Sequence, residues 1–155
     1  MAERINAGRI NLDQRLRLRD AYRDLIDEQN VNYFVTFNFG YVIKAMHALE
    51  RLKGFCTALE RKALGRNWCK RPPADRLVLL GFPERPKLNP HWHAVARVPE
   101  PMEIALKGDG PLLWMKWAAR GQLWVEHIED QHIVKTYSTK RLHNFGAPED
   151  VFIYR

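Results

Sequence analysis

Apolar and polar positions along the chain fall into alternating blocks of helical and strand period. Leu12, Leu16, Leu18, Ala21, Tyr22, Leu25 and Ile26 recur at roughly helical spacing, which predicts a first helix over 12–26. Val31–Phe39 (VNYFVTFNF) is rich in β-branched and aromatic residues and alternates with period two, as a strand does. Tyr33, Val35, Phe37 and Phe39 fall on one face, and Asn32, Phe34, Thr36 and Asn38 on the other, which turns polar toward its C-terminal end. A long helix is expected over 41–64, with Val42, Ala45, Met46, Leu49, Leu52, Phe55, Leu59 and Ala63 at helical intervals, most of them core. Gly65–Asp75 breaks the pattern at Pro72 and Pro73.

Two apolar runs then span Leu77–Val98, joined by a polar, proline-containing turn over Arg85–Pro90, the pattern of a hairpin. A turn follows at Pro99–Pro101, then a short helix over Met102–Leu106 and a loop at Gly108–Gly110. A helix over Leu112–Arg120 is expected to stop at Gly121. Gln122–Ile128 alternates as a strand, Asp130 is a candidate cap for a helix through about His143, and Val151–Tyr154 closes the chain as a short strand. The residues before Leu12 have little to bury. The order implies an α+β fold: a central, mainly antiparallel sheet flanked by helices, in one domain over 1–155.

Composition narrows the class without naming it. With 46% hydrophobic and 28% charged residues in 155, the chain has enough apolar material for one core. No apolar run is long enough to span a membrane and the N-terminus is charged, so no membrane partner is expected. Cys56 and Cys69 lack zinc-ligand spacing, and a reduced cytoplasmic setting is the expectation. A net charge of +7 favours a polyanionic partner.

Candidate chemistry concentrates in the hairpin. Trp92, Ala94, Ala96 and Val98 share one face of its second strand, and His91, His93, Val95 and Arg97 share the other. Two imidazoles one residue apart on either side of Trp92 therefore project side by side and can share a divalent metal. Glu84 ends the first strand, and the turn returns it close to His91, adding a carboxylate. Glu126, on another expected strand, competes with Glu84 for the third ligand position. Tyr137 and Lys140 lie three apart on the late helix, on one face and one turn apart. A tyrosine phenol ordinarily titrates near 10 and attacks well only where a cation or a polarised target assists it. Elsewhere, Arg66, Lys70 and Arg71 surround Trp68 in a basic loop that suits a single-stranded nucleic acid, with an anchoring role for Trp68 as the alternative. Arg15, Arg17, Arg19 and Arg23 on the first helix could add phosphate contacts. His127, His132 and His143 are expected at the surface or in structural roles.

Phe34–Phe39 (FVTFNF), His91-Trp92-His93 and Tyr137-Ser138-Thr139-Lys140, in that order, resemble the three motifs of a single-tyrosine HUH endonuclease of the rolling-circle replication initiator type. The likeness covers nearly the whole chain. Relaxases usually place the nucleophile before the histidines, and a single candidate tyrosine disfavours a paired-tyrosine mechanism. The resemblance implies a five-stranded antiparallel sheet with the metal site on one face and the tyrosine helix above it. It also implies Thr36 and Asn38 near the metal, His91, His93 and Glu84 as ligands of Mg²⁺ or Mn²⁺, and Tyr137 as nucleophile with Lys140 assisting. The implied activity nicks one DNA strand at a replication origin or hairpin of a plasmid, phage or other mobile element, through a 5′-phosphotyrosine that can later be rejoined. The sequence holds no GxxxxGK[ST] motif, so a host helicase is the expected unwinding partner. The alternative is a module of the same fold that binds DNA or RNA without cutting. An iron oxygenase shares the ligand types, but the short His-x-His hairpin and the basic charge disfavour it.

Overall fold

A computed structural model describes residues 11–84, 89–140 and 151–155. The start over residues 1–10, most of the Arg85–Pro90 turn and the end of the late helix toward His143 lie outside these residues. The fold is α+β, built on one open sheet of five strands in the order β4-β1-β3-β2-β5, with every neighbouring pair antiparallel. The elements are α1 (Leu12–Glu28), β1 (Tyr33–Asn38), α2 (Ala45–Leu64), β2 (Val78–Glu84), β3 (His91–Arg97), α3 (Glu100–Ile104), α4 (Gly110–Trp117), β4 (Gln122–His127), α5 (Gln131–Thr139) and β5 (Phe152–Tyr154). Among the described residues no helix is long and apolar enough to cross a membrane.

Each face of the sheet packs a different layer, as the alternation on β1 and β3 requires. Tyr33, Val35, Phe37, Trp92, Ala94 and Ala96 point into the larger core with Leu52, Phe55 and Leu59 of α2, Met102 of α3 and Trp114 of α4. Phe82, Leu80 and Val95 point the other way, into a smaller core with Ile26 of α1 and Ile128, against which Phe34 and Val134 of α5 pack. His91 and His93 share this second face, His93 buried and His91 half-buried. A capping box at Asn11 and Gln14 starts α1, and the Asp130 carboxylate caps α5 through the His132 and Ile133 amides. Arg23 Nε donates to Thr139 Oγ1 at 2.9 Å, and Lys135 pairs with Asp27 at 2.5 Å, so α1 and α5 are tied together above the sheet.

Three local expectations are corrected. The second long helix begins at Ala45 rather than Tyr41, and Val42 and Met46 are solvent-exposed; the buried stripe is Ala48, Leu52, Phe55, Cys56 and Leu59. The loop expected at Gly108–Gly110 is helical: a π-type segment, Ala105–Asp109, joins α3 to α4 without a break. Pro111 explains the wide turn, since it has no N–H to donate and its ring would press on the preceding turn of a regular helix. Finally, α4 ends at Trp117, and Gly121 is not a left-handed cap. A Cβ at Gly121 would lie 2.5 Å from the Asn38 carbonyl oxygen and 2.7 Å from Trp114 Nε1, so close packing demands glycine there.

Beneath the larger core sits a buried carboxylate. Glu60 of α2, wholly excluded from solvent, accepts from Arg76, from the Leu77 amide at 2.9 Å and from Tyr154 Oη at 2.7 Å. One side chain thereby fastens α2 to the start of β2 and to β5. Burial and Glu60 together push the Tyr154 phenol well above its ordinary range.

Candidate metal and phosphoryl-transfer site

Strand register assembles the candidate site. Glu84 is paired opposite His91, Phe82 opposite His93, and Asn38 and Thr36 of β1 oppose His91 and His93 from the other side. Cross-strand partners point to the same face. One face therefore carries a row Gln122, Asn38, His91, Glu84 and, beside it, a row Trp124, Thr36, His93, Phe82.

The ligand atoms of Glu84, His91 and His93 lie within 4.8 Å of one another. His93 Nε2 is 2.5 Å and His91 Nε2 3.3 Å from the same carboxylate oxygen, Glu84 Oε2. The opposite ring nitrogens are tied down. His91 Nδ1 is 2.8 Å from the Asn89 carbonyl, which can only accept, so that nitrogen carries a proton. In the neutral imidazole Nε2 then turns a lone pair toward Glu84. His93 Nδ1 is 3.1 Å from Thr36 Oγ1, which can hold that ring in the same tautomer. Burial above all, and next the neighbouring His91, push the His93 imidazole below the ordinary histidine range, while Glu84 pulls it back. Lone pairs of two imidazoles and a carboxylate facing one another need a proton or a cation between them. This donor set fits a divalent ion, with Thr36 and the Asn89 carbonyl orienting the ligands from behind.

Tyr137 and Lys140 reach the same place from α5. The Tyr137 ring packs edge-on against His93, with centroids 5.1 Å apart, and against Phe34 at 6.0 Å. The residue remains 43% exposed, so its ring is reachable from solvent. Lys140 Nζ lies 3.5 Å from the centre of the Tyr137 ring and 3.8 Å from Glu84 Oε1. Between these residues is a cavity of about 10 Å³, lined also by Ser138, room for about one water. Ser138, which no sequence motif marks for a role of its own, is buried, and among the described residues its hydroxyl has no hydrogen-bond partner. Only the place of Ser138 on the helical stripe that includes Val134, four residues earlier, could have signalled it, and that is a weak cue.

The remaining candidates divide. Thr36 contacts His93, whereas the Asn38 side chain turns back to accept from the Gly40 amide at 2.7 Å. Of the two carboxylates competing for the third ligand position, Glu84 converges on the histidines; Glu126 lies opposite Phe34 on the edge strand β4 and is exposed. His127 packs edge-on to Tyr33 on the other face, and His132 is exposed at the start of α5. Arg66, Trp68, Lys70 and Arg71 do not join the site. They precede β2, whose opposite end carries Glu84 about 20 Å away at the rise of a strand. Trp68 is half-buried there with the Arg76 guanidinium 4.9 Å over its ring, which suits an anchoring role for Trp68. Arg66, Lys70 and Arg71 are exposed.

Compared with known proteins, the chain matches no family model, no curated protein and no solved structure.

Proposed function

We propose that this protein is a metal-dependent endonuclease that nicks and rejoins single-stranded DNA through a tyrosine, as HUH replication initiators do. One observation carries the reading. Residues separated by a hundred positions in sequence, Thr36, Glu84, His91, His93, Tyr137 and Lys140, meet around one cluster on one face of the sheet. A core has no need of that collection. Two imidazoles, a carboxylate, a phenol and an ammonium are the groups that phosphoryl transfer uses.

Glu84, His91 and His93 would hold the cation, which would polarise a non-bridging oxygen of the target phosphate and offset its charge. Two nitrogen ligands favour Mn²⁺ over the more strictly oxygen-seeking Mg²⁺. Tyr137 Oη attacks the phosphorus, an O–P bond to tyrosine forms, and the bond to the 3′-oxygen breaks. The phenol proton passes to solvent and the departing 3′-oxygen takes one up. Lys140, beside the ring, stabilises negative charge on the phenol and on the transferring phosphate. One phosphodiester replaces another, so little free energy is lost and the 3′-hydroxyl can reverse the step. That balance suits initiation and closure of rolling-circle replication of a plasmid or phage, with a host helicase opening the duplex.

A labelled single-stranded oligonucleotide pool incubated with Mn²⁺ tests the reading. The label is expected to comigrate with the protein on a denaturing gel, and Tyr137→Phe to abolish the adduct while leaving binding intact. Cleavage by Tyr137→Phe at the parental rate would exclude this nucleophile, and strand binding without cleavage by either protein would make the chain a binding module.

A further inference from the structure

Trp124 lies in the same row of the sheet as His93, with only Thr36 between them. At one strand spacing per step, this puts the two about 10 Å apart on one face. The large apolar residues of the two inner layers are buried, but Trp124 is 46% exposed on the edge strand. Among the described residues its ring takes part in no aromatic pair, cation–π contact or hydrogen bond. Its neighbours on the same face of that strand, Gln122 and Glu126, are exposed as well, so among the described residues this margin of the sheet is left bare while α1 and α5 pack over its middle. Burying an indole in the core would have been the cheaper arrangement for folding alone.

We propose that Trp124 is the stacking platform for a base of single-stranded DNA whose neighbouring phosphate lies at the Glu84–His91–His93 cluster. The inference rests on the reading of that cluster as a phosphoryl-transfer site and adds where the strand runs. An indole is sequence-tolerant, because every base has a π-face. The flanking side chains set the path. Glu126 repels phosphate, whereas Gln122 and Asn38, in the row that leads to His91 and Glu84, are neutral and can donate amide protons. The backbone therefore crosses on the Gln122 side and the base turns onto Trp124. The net charge of +7 complements the strand as a whole.

The test compares the parent protein with Trp124→Ala and Trp124→Phe, using a mixed-sequence 20–30-nucleotide single strand, an abasic strand of equal length, and two salt concentrations. Trp124→Ala is expected to weaken binding of the normal strand by on the order of tenfold, with the salt slope unchanged and the abasic strand unaffected. Trp124→Phe is expected to restore most of the affinity and to remove the quenching of tryptophan emission that the parent shows on binding. Equal affinity of parent and Trp124→Ala overturns the inference, as does an equal loss on the abasic strand, which would mean a backbone contact. The phosphotyrosine adduct is scored separately. Adduct formation with no effect of Trp124→Ala sinks the platform alone. A Trp124 effect without adduct keeps the platform and sinks the nickase. A parent that binds no single strand sinks both.

Discussion

The Lys140 ammonium lies over the Tyr137 ring, 3.5 Å from its centre, and reaches toward Glu84 Oε1 at 3.8 Å. One cation thus touches both the candidate nucleophile and the candidate metal ligand. Lys140→Gln keeps the stem and removes the charge. It should lower the rate of adduct formation roughly a hundredfold, the low end for one electrostatic stabiliser, and leave strand affinity nearly unchanged. Single-turnover kinetics separate the two, and an unaltered rate would make Lys140 merely a packing partner.

Thr36 supports His93 from the side away from the cluster. Thr36→Val preserves shape and removes that partner, so Mn²⁺ affinity should fall about tenfold, as for other residues behind a ligand. Titration calorimetry measures it, with the melting temperature of the metal-free protein as the control for folding.

Metal should stabilise the fold by binding only its native arrangement. At a hundred times the dissociation constant the gain is about 2.7 kcal/mol, seen as a rise in melting temperature that chelation reverses and that Glu84→Ala lacks. Protons compete for His93. Burial lowers that imidazole's pKa, and a bound cation opposes its protonation further, so the gain should be full at neutral pH and fall as the medium becomes acidic. Loss already above neutrality would contradict the assignment.

The Glu60 network makes a prediction away from the site. Glu60→Ala leaves Arg76, the Leu77 amide and Tyr154 without their common acceptor and should cost about 3–5 kcal/mol. Tyr154 is raised in the folded state, so its contribution is complete below the ordinary phenol value near 10 and is lost as pH rises above it. Denaturant titrations between pH 8 and 11 should show stability falling at the alkaline end, and less steeply in Tyr154→Phe.

Period-two alternation made the sheet legible, because a strand between two cores must sort its residues by face. Trp92 and Ala94 face the larger core and His91 and His93 the opposite face, as the pattern of β3 requires. Glu84 could be placed because the hairpin is short, and Tyr137 with Lys140 because three residues make nearly one helical turn. What was not legible depended on contacts between distant segments. Nothing local to Pro111 tells that a widened helical turn, rather than a loop, will carry the chain through Gly108. Nor does the spacing of Met46 tell that no element will cover it. The basic loop at Arg66–Arg71 was read by composition, and composition is blind to which end of a strand a loop adjoins. Trp124 was simply one more aromatic in an alternating strand until the register put it beside Thr36.

The pairing of Glu84 with His91 has a consequence for how the molecule can fail. Slipping β3 by one residue against β2 would send both histidines into the larger core and Trp92 onto the ligand face. The ligand cluster and the apolar core are thus two readouts of a single alignment, and neither survives without the other. A half-misthreaded hairpin would be inert as well as unstable, and a captured metal ion would certify that the strands had been joined in the right phase.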